Sequence, residues 1–575
     1  MMKLSILTIF LIFISLSLYA ENYWVFFTDK DVQRRGGKDA VLQEVENYLS
    51  PQSIWRRTVR GQGITINDAL PSPYYVNDVK DIGYEIIGQS RWLNAVIIES
   101  EPRDNFDQLN LLDFVDRIEP VNRFAVERDQ VAKFDQNNSE LNYGFSEFQL
   151  SQVGITRCHN EGYRGEGVII AILDSGFKLR HEALERFAQQ DSTKIIDQWN
   201  YVDDTSSVAV GSPDETGHGT RMLGIIAGYQ SGQLIGAAKN ASFCLYKSEL
   251  DDGLDDYIVE EHWWVLAAER ADSAGADIIS SSLAYKTYLD SINWSYQDMN
   301  GTTAYASQAA FQAYRAGIVV VTAMSNVTWL STGLAPQLDT CIKIPADADS
   351  IISAGGVDSS GNHYLNLSSA NNRWYASACG PTFDGRTKPD LSASWWALSV
   401  DPDNDSAYYY GGGTSCATAI TAGGVALLLQ AHPSWDVHDV IHALKSTSSR
   451  SGSPNDSTGW GVSNFYAALH TQTPEVEPVT SSSIRSIYPN PFNPGVNNQV
   501  TFDFVLLDRT NVTVYVYTLD GFLVWYEDLG VLEDGSWIVT WDGKNEGDEI
   551  IASGLYFVML DTGYGTDLKR MVVIR

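Results

Sequence analysis

From Val168 to Leu173 the chain reads Val-Ile-Ile-Ala-Ile-Leu without a polar break, and the run ends in Asp174-Ser175-Gly176. A strand with one wet face alternates apolar and polar residues; a run that does not alternate suits a strand covered on both faces, as in a parallel sheet flanked by helices. The downstream chain keeps that rhythm: Cys244–Lys247 as strand, 259–274 as helix, Asp277–Ser280 as strand, 303–316 as helix, Gly317–Ala323 as strand. Repeated β-α units with apolar strands predict a doubly wound α/β sheet. An acid at the carboxyl end of such a strand sits where these folds bind ligands, although alone it equally caps a turn.

Two further segments carry chemistry. Thr216-Gly217-His218-Gly219-Thr220 places a histidine between glycines just before a helical run from Met222 to Ala227. Gly412-Gly413-Thr414-Ser415-Cys416-Ala417 places a serine at the start of an apolar run that reaches Leu429. By itself the second segment reads as a capped turn before a buried helix. A serine hydroxyl is a weak nucleophile unless a base and an orienting acid accompany it. Asp174, His218 and Ser415 supply the three in the order acid, base, nucleophile. A lipase or esterase reading lacks its G-x-S-x-G elbow, because Ser415 lies in Gly-Thr-Ser-Cys-Ala.

Ile172-Leu173-Asp174-Ser175-Gly176, His218-Gly219-Thr220 and Gly413-Thr414-Ser415-Cys416-Ala417 together resemble the subtilase (subtilisin-like) serine peptidases over residues 141–470. Two weaker segments agree: Ser282-Leu283, at the place of the family's substrate-binding strand, and Val321 to Asn326, at that of its oxyanion asparagine. The resemblance implies Ser415 as nucleophile, His218 as general base, Asp174 as its orienting acid and Asn326 as oxyanion donor. It implies substrate contacts at Ser282, Leu283 and Ala284. The sequence departs from the family pattern at Ser325 and Ala284, where glycine is usual, at Ala419, where proline is common, and at Arg221 after His-Gly-Thr. These changes touch specificity and turnover rather than proton transfer. The alternative reading is a catalytically weak subtilase-like surface protein acting as a binding module.

The amino terminus, Met-Met-Lys followed by an apolar run from Leu4 to Leu18 and then Tyr19-Ala20, reads as a signal peptide for export, so the protein is expected to be secreted or at the outer cell surface. Strand candidates at Tyr23–Phe27, Ala95–Ile98 and Phe114–Ile118, with helices at Ala40–Leu49 and 104–112, suit a ferredoxin-like α+β unit. The subtilase resemblance makes that unit an inhibitory propeptide, with self-cleavage between Val126 and Tyr143. At the other end, strands at Val500–Phe504, Val512–Tyr517, Ser536–Trp541 and Leu555–Leu560 suggest an all-β Ig-like sandwich. Tyr488-Pro489-Asn490-Pro491-Phe492, Trp541-Asp542-Gly543, Ser553-Gly554-Leu555-Tyr556 and the ending Lys569 to Arg575 resemble type IX secretion sorting domains, which implies secretion machinery as a partner. The expected layout is 1–20 signal peptide, 21–125 propeptide, 126–140 processing linker, 141–470 subtilisin-like peptidase domain, 471–484 linker and 485–575 C-terminal sorting domain.

Charge and cysteine usage narrow the partners. With 39 Lys+Arg against 72 Asp+Glu the formal net charge is −33, which argues against nucleic acid or an anionic membrane as partner. Protein or peptide substrates and the chain's own propeptide are the expected partners, and after the signal region no stretch reads as a transmembrane segment. Five cysteines form no CxxC zinc pattern; a Cys341–Cys379 bridge is the pairing considered, and Cys416 reads as a small buried filler. No cofactor is expected for catalysis. The family admits structural calcium without naming a ligand here: Asp298 to Thr302 reads first as an Asn-Gly turn, and His438 with His442 as a polar helix face.

Overall fold

The computed structural model describes residues 21–60, 63–100, 106–121, 141–185, 187, 194–208, 217–250, 256–288, 293–330, 341–368, 373–471 and 482–575, except 489, 491, 495–498, 507–508, 520, 533–534, 546, 548 and 564. The segments expected to be a signal peptide and a processing linker, and most of the 471–484 linker, therefore lie outside the described residues.

Seven parallel strands form the central sheet. In chain order they are β5 (Ile169–Asp174), β6 (Ile195–Asn200), β7 (Ser242–Lys247), β8 (Ile278–Ser281), β9 (Val319–Ala323), β10 (Ile352–Val357) and β11 (Leu391–Ser394); four strands precede them. Their spatial order is β11-β10-β9-β8-β5-β7-β6. The chain enters at β5, winds to one edge through β6 and β7, then crosses back and builds outward from β8. The winding reverses between β5 and β8, and Asp174 is the last residue of β5, so it stands at the topological switch point where open α/β sheets bind ligands.

The unbroken apolar strands are covered on both faces. Ile170 and Ile172 of β5 pack with Val319 and Val321 on one side, under helices α4 (Gly217–Ala227), α7 (Thr414–Ala431) and α8 (Val437–Thr447). Ala171, Leu173 and Val320 face the other side, under α5 (Ile258–Ala274) and α6 (Tyr305–Arg315). Helix α7 is long and apolar enough to cross a membrane by composition, but 83% of it is buried here, so it is the core helix of the domain. Gly423 and Gly424 allow that burial: a Cβ on Gly424 would lie 2.5 Å from the Phe465 ring, and one on Gly423 2.4 Å from Ala237 Cβ.

The N-terminal unit is a four-stranded antiparallel sheet of order β2-β3-β1-β4, built from β1 (Glu21–Phe27), β2 (Glu85–Ser90), β3 (Ala95–Ser100) and β4 (Val115–Val121). This is the ferredoxin-like order. Helices α1 (Lys38–Glu46), α2 (Pro51–Val59) and α3 (Pro73–Ile82) come between β1 and β2. Alternation along β1 sorts its two faces. Tyr23, Val25 and Phe27 pack under Val76 and Val79 of α3, while Trp24 and Phe26 join the core that holds α5 and α6. The helix expected over 104–112 is corrected: residues 106–112 contain a 3₁₀ turn at Leu109–Leu111.

A clasp of buried charge ties this unit to the peptidase domain. Ser50 caps α2, its Oγ accepting from Ser53 N at 3.1 Å, and Pro51 opens the first turn. The helix so positioned delivers Arg56 and Arg57 to Asp272 near the end of α5, where Arg91 joins them. Arg57 and Arg91 reach Asp272 at 2.8 and 2.6 Å. Burial raises the Asp272 pKa, but Arg57, Arg91 and Arg56 outweigh that effect and hold its carboxyl below the ordinary value. Arg60 bonds Asp277 at 3.3 Å and the Gly317 carbonyl at 2.7 Å.

After residue 482 the chain forms two antiparallel sheets, of three and four strands, around a core that includes Phe502, Phe504, Val514, Val516 and Trp541. Beyond the four strands expected, Ser483–Tyr488, Leu523–Leu532 and Gly565–Val573 complete the sandwich. No disulfide links the five cysteines. The Cys341–Cys379 pairing is thus corrected: Cys379 Sγ lies 3.4 Å from His363 Nε2 and 3.9 Å from the Ser377 carbonyl.

Candidate active site

Three separate segments deliver polar groups to the carboxyl end of the sheet. Asp174 is fully buried at the end of β5, its Oδ1 accepting from the Ser175 N–H at 2.8 Å. His218 rides in the first turn of α4, and its Nδ1 lies 2.8 Å from the same Oδ1. Gly219 makes this approach sterically feasible: a Cβ there would stand 2.5 Å from the Gly176 carbonyl and 3.0 Å from Asp174 Cβ. The His218 side chain keeps 28% of its surface open, so the imidazole is held by a buried acid and still faces the cavity.

Ser415 is the second residue of α7. From Thr414 to Leu429 all the other helix residues are buried; Ser415 alone is partly open. Its Oγ donates to the Ser282 carbonyl at 3.3 Å, and Ser282 Oγ donates back to the Ser415 carbonyl at 3.2 Å. Asn326 follows β9. Its Oδ1 accepts from Thr414 N at 2.9 Å and from Thr414 Oγ1 at 3.1 Å, which leaves its Nδ2 as the donor end of an oriented amide. His218, Asn326 and Ser415 line one cavity of about 190 Å³, with Cys416, Arg221 and Tyr409 also in its wall. Burial pushes the Cys416 thiol up to about 12, so it stays protonated and apolar in character, as expected for a filler.

The other residues expected at the site are arranged unevenly. Ser282, Leu283 and Ala284 follow β8 without joining the sheet. Ser282 touches Ser415, whereas the Leu283 side chain is packed into the core beneath α5 and α6. Thr414, which orients Asn326, and Gly219, which admits His218 to Asp174, had no signal beyond membership of the motifs. Away from the site, Asp298 Oδ2 accepts from Ser295 N and Oγ, and Asn300 Oδ1 from Thr302 N and Thr303 N. That segment is a hydrogen-bonded turn. Glu249, Asp256 and Glu260 bring carboxylate oxygens within 4.8 Å of one another. Glu260 caps α5 by accepting from Tyr257 N and also accepts from Leu250 N, while Glu249 accepts from Tyr285 OH at 3.0 Å.

A doubly wound sheet that brings a serine, a histidine and a buried acid together at its switch point can host several chemistries, and similarity to known proteins specifies the class. Residues 165–461 match the Subtilase family, and residues 22–138 match the Peptidase S8 propeptide domain of Bacteroidota. Subtilisin DY of Bacillus licheniformis is 29% identical over 311 residues, covering 54% of this chain and 93% of that protein. Subtilisin E of Bacillus subtilis (strain 168) is 28% identical over 322 residues, covering 56% and 70%. Among solved structures, fervidolysin from Fervidobacterium pennivorans, a keratinolytic enzyme related to subtilisin, shares the fold. Its TM-score is 0.51 at 17% identity, covering 94% of this chain and 71% of that one. The chain belongs to the subtilase family of serine endopeptidases and carries that family's propeptide domain.

Proposed function

We propose that this subtilase is a secreted, self-processed precursor in which Asp174, His218 and Ser415 perform acyl transfer. The observation that carries the reading is the 2.8 Å contact from the buried Asp174 carboxylate to His218 Nδ1, with Ser415, partly open at the start of its helix, on the same cavity. In this mechanism Ser415 Oγ turns from the Ser282 carbonyl and attacks the scissile carbonyl while His218 Nε2 takes its proton. The imidazolium, stabilised by Asp174, returns the proton to the leaving amine, and water repeats the cycle on the acyl-enzyme. Asn326 Nδ2, oriented through Thr414, donates to the developing oxyanion.

Processing between Val126 and Tyr143 would release the propeptide, residues 1–20 would direct export, and the C-terminal sandwich would engage secretion machinery at the cell surface. A serine-directed fluorophosphonate should label Ser415 in processed protein, and Ser415→Ala should leave both the label off and the precursor uncut. Unlabelled wild-type protein, or normal processing of Ser415→Ala, would overturn the reading. The chemistry uses protein groups alone, so EDTA is expected to leave labelling intact. A lower melting temperature in EDTA would report structural calcium.

A further inference from the structure

We propose that Arg221 selects an acidic side chain on the substrate residue that follows the scissile bond; this rests on the peptidase reading above. Arg221 lies three residues after His218 on α4, one helical turn along the same face. It lines the cavity that holds His218, Ser415 and Asn326. Its guanidinium sits 4.8 Å above the Tyr409 ring, also in the wall, which holds a long side chain in place. Among the described residues the lining contains no carboxylate, and none forms an ion pair with Arg221. A half-buried guanidinium with no counter-charge among the described residues is unexpected in a chain with 72 acidic and 39 basic residues. A bound carboxylate would complete it.

The cavity's position assigns the side. His218 must hand its proton to the leaving amine, so the segment carrying that amine passes His218, and the next wall along α4 is Arg221. Ser282, which touches Ser415, is not part of this lining. A carboxylate on the first residue of the leaving segment therefore meets the guanidinium, with Tyr409 flanking it. Because the pair stays partly open to water, the selection amounts to about tenfold.

The test uses full chain that has been allowed to process, with amidated peptides carrying Glu, Gln or Lys at the residue after the scissile bond. Amidation removes the terminal carboxylate as a rival ligand. Wild type should favour Glu over Gln about tenfold in kcat/KM, chiefly through KM, and the preference should shrink at high salt. Arg221→Gln should bring the ratio to about one, and Arg221→Glu should turn the preference toward Lys. Phosphonate labelling of Ser415 is read in parallel. Labelled wild type with a Glu-to-Gln ratio near one, or a ratio unchanged in Arg221→Gln, overturns the role of Arg221 alone. Wild type that neither labels nor cleaves any peptide overturns the peptidase reading and this inference with it.

Discussion

Ser325 adopts φ 94°, a left-handed conformation that L side chains rarely take, immediately before Asn326. Such a residue costs on the order of 1–3 kcal/mol, and here it sits on the turn that presents the amide to Thr414. Ser325→Gly should stabilise the protein by about 1 kcal/mol in urea denaturation, with Asn326 still oriented. Asn326→Ala removes the proposed oxyanion donor and should lower kcat by about a hundred- to a thousandfold with little change in KM, as loss of the comparable donor does in a subtilisin. His262 offers a test by pH. It is buried between Trp24, at 5.3 Å, and Tyr305, at 5.6 Å, with neither ring nitrogen bonded among the described residues, and burial pushes its pKa down to about 3. The unfolded chain therefore binds a proton that the folded chain refuses between an ordinary value near 6.5 and about 3. His262 thus costs stability progressively as pH falls through that window. Glu261, raised to about 7 by burial, acts in the opposite sense below pH 7, so the net slope alone is not diagnostic. The difference in melting temperature between His262→Phe and wild type isolates the histidine, and it should grow in favour of the variant from pH 7 to pH 4.

At the scale of elements, the charge clasp decides how α2 is held on α5. Asp272 is fully buried and shared by three guanidinium groups, so removing it strands buried cations rather than deleting one contact. Asp272→Ala, made in the uncut Ser415→Ala precursor, should destabilise by about 3–5 kcal/mol by urea denaturation. Helix α7 makes a steric prediction. Gly424→Ala drives a methyl into the Phe465 ring and should cost about 1–3 kcal/mol, whereas an alanine on an open helix face would be neutral or better. Strands β5, β8 and β9 were legible because unbroken apolar runs have one economical use, between two layers of helices. The 3₁₀ turn at Leu109–Leu111 was not, because a short apolar-polar segment has the same spacing in a helix and in a tight turn. Strand β2 was missed for a related reason: its residues alternate exposed and half-buried at the edge of a sheet, and Gly88 breaks the pattern.

For the whole molecule, the location of the hydrophobic cores is decisive. Trp24, Phe26, Ala95 and Ile97 of the propeptide belong to the same cluster as α5 and α6, so the first two domains share a core. The C-terminal sandwich has its own. A chain ending at residue 471 should accordingly keep phosphonate labelling of Ser415 and lose a separate calorimetric transition.

The sequence by itself determined the parallel sheet and the ferredoxin-like and sandwich units, and it singled out Asp174, His218 and Ser415 as the candidate set, because apolar periodicity and short motifs around reactive side chains are local signals. The tertiary structure decided what these groups meet. It placed Asp174 at the switch point, set His218 against it through Gly219, oriented Asn326 through Thr414, and turned Arg221 and Tyr409 into one cavity wall. None of those pairings is local: Asn326 and Thr414 are 88 residues apart, and Arg56 and Asp272 are 216 apart. A contact between distant residues depends on how whole layers pack, and one sequence carries no local record of that packing.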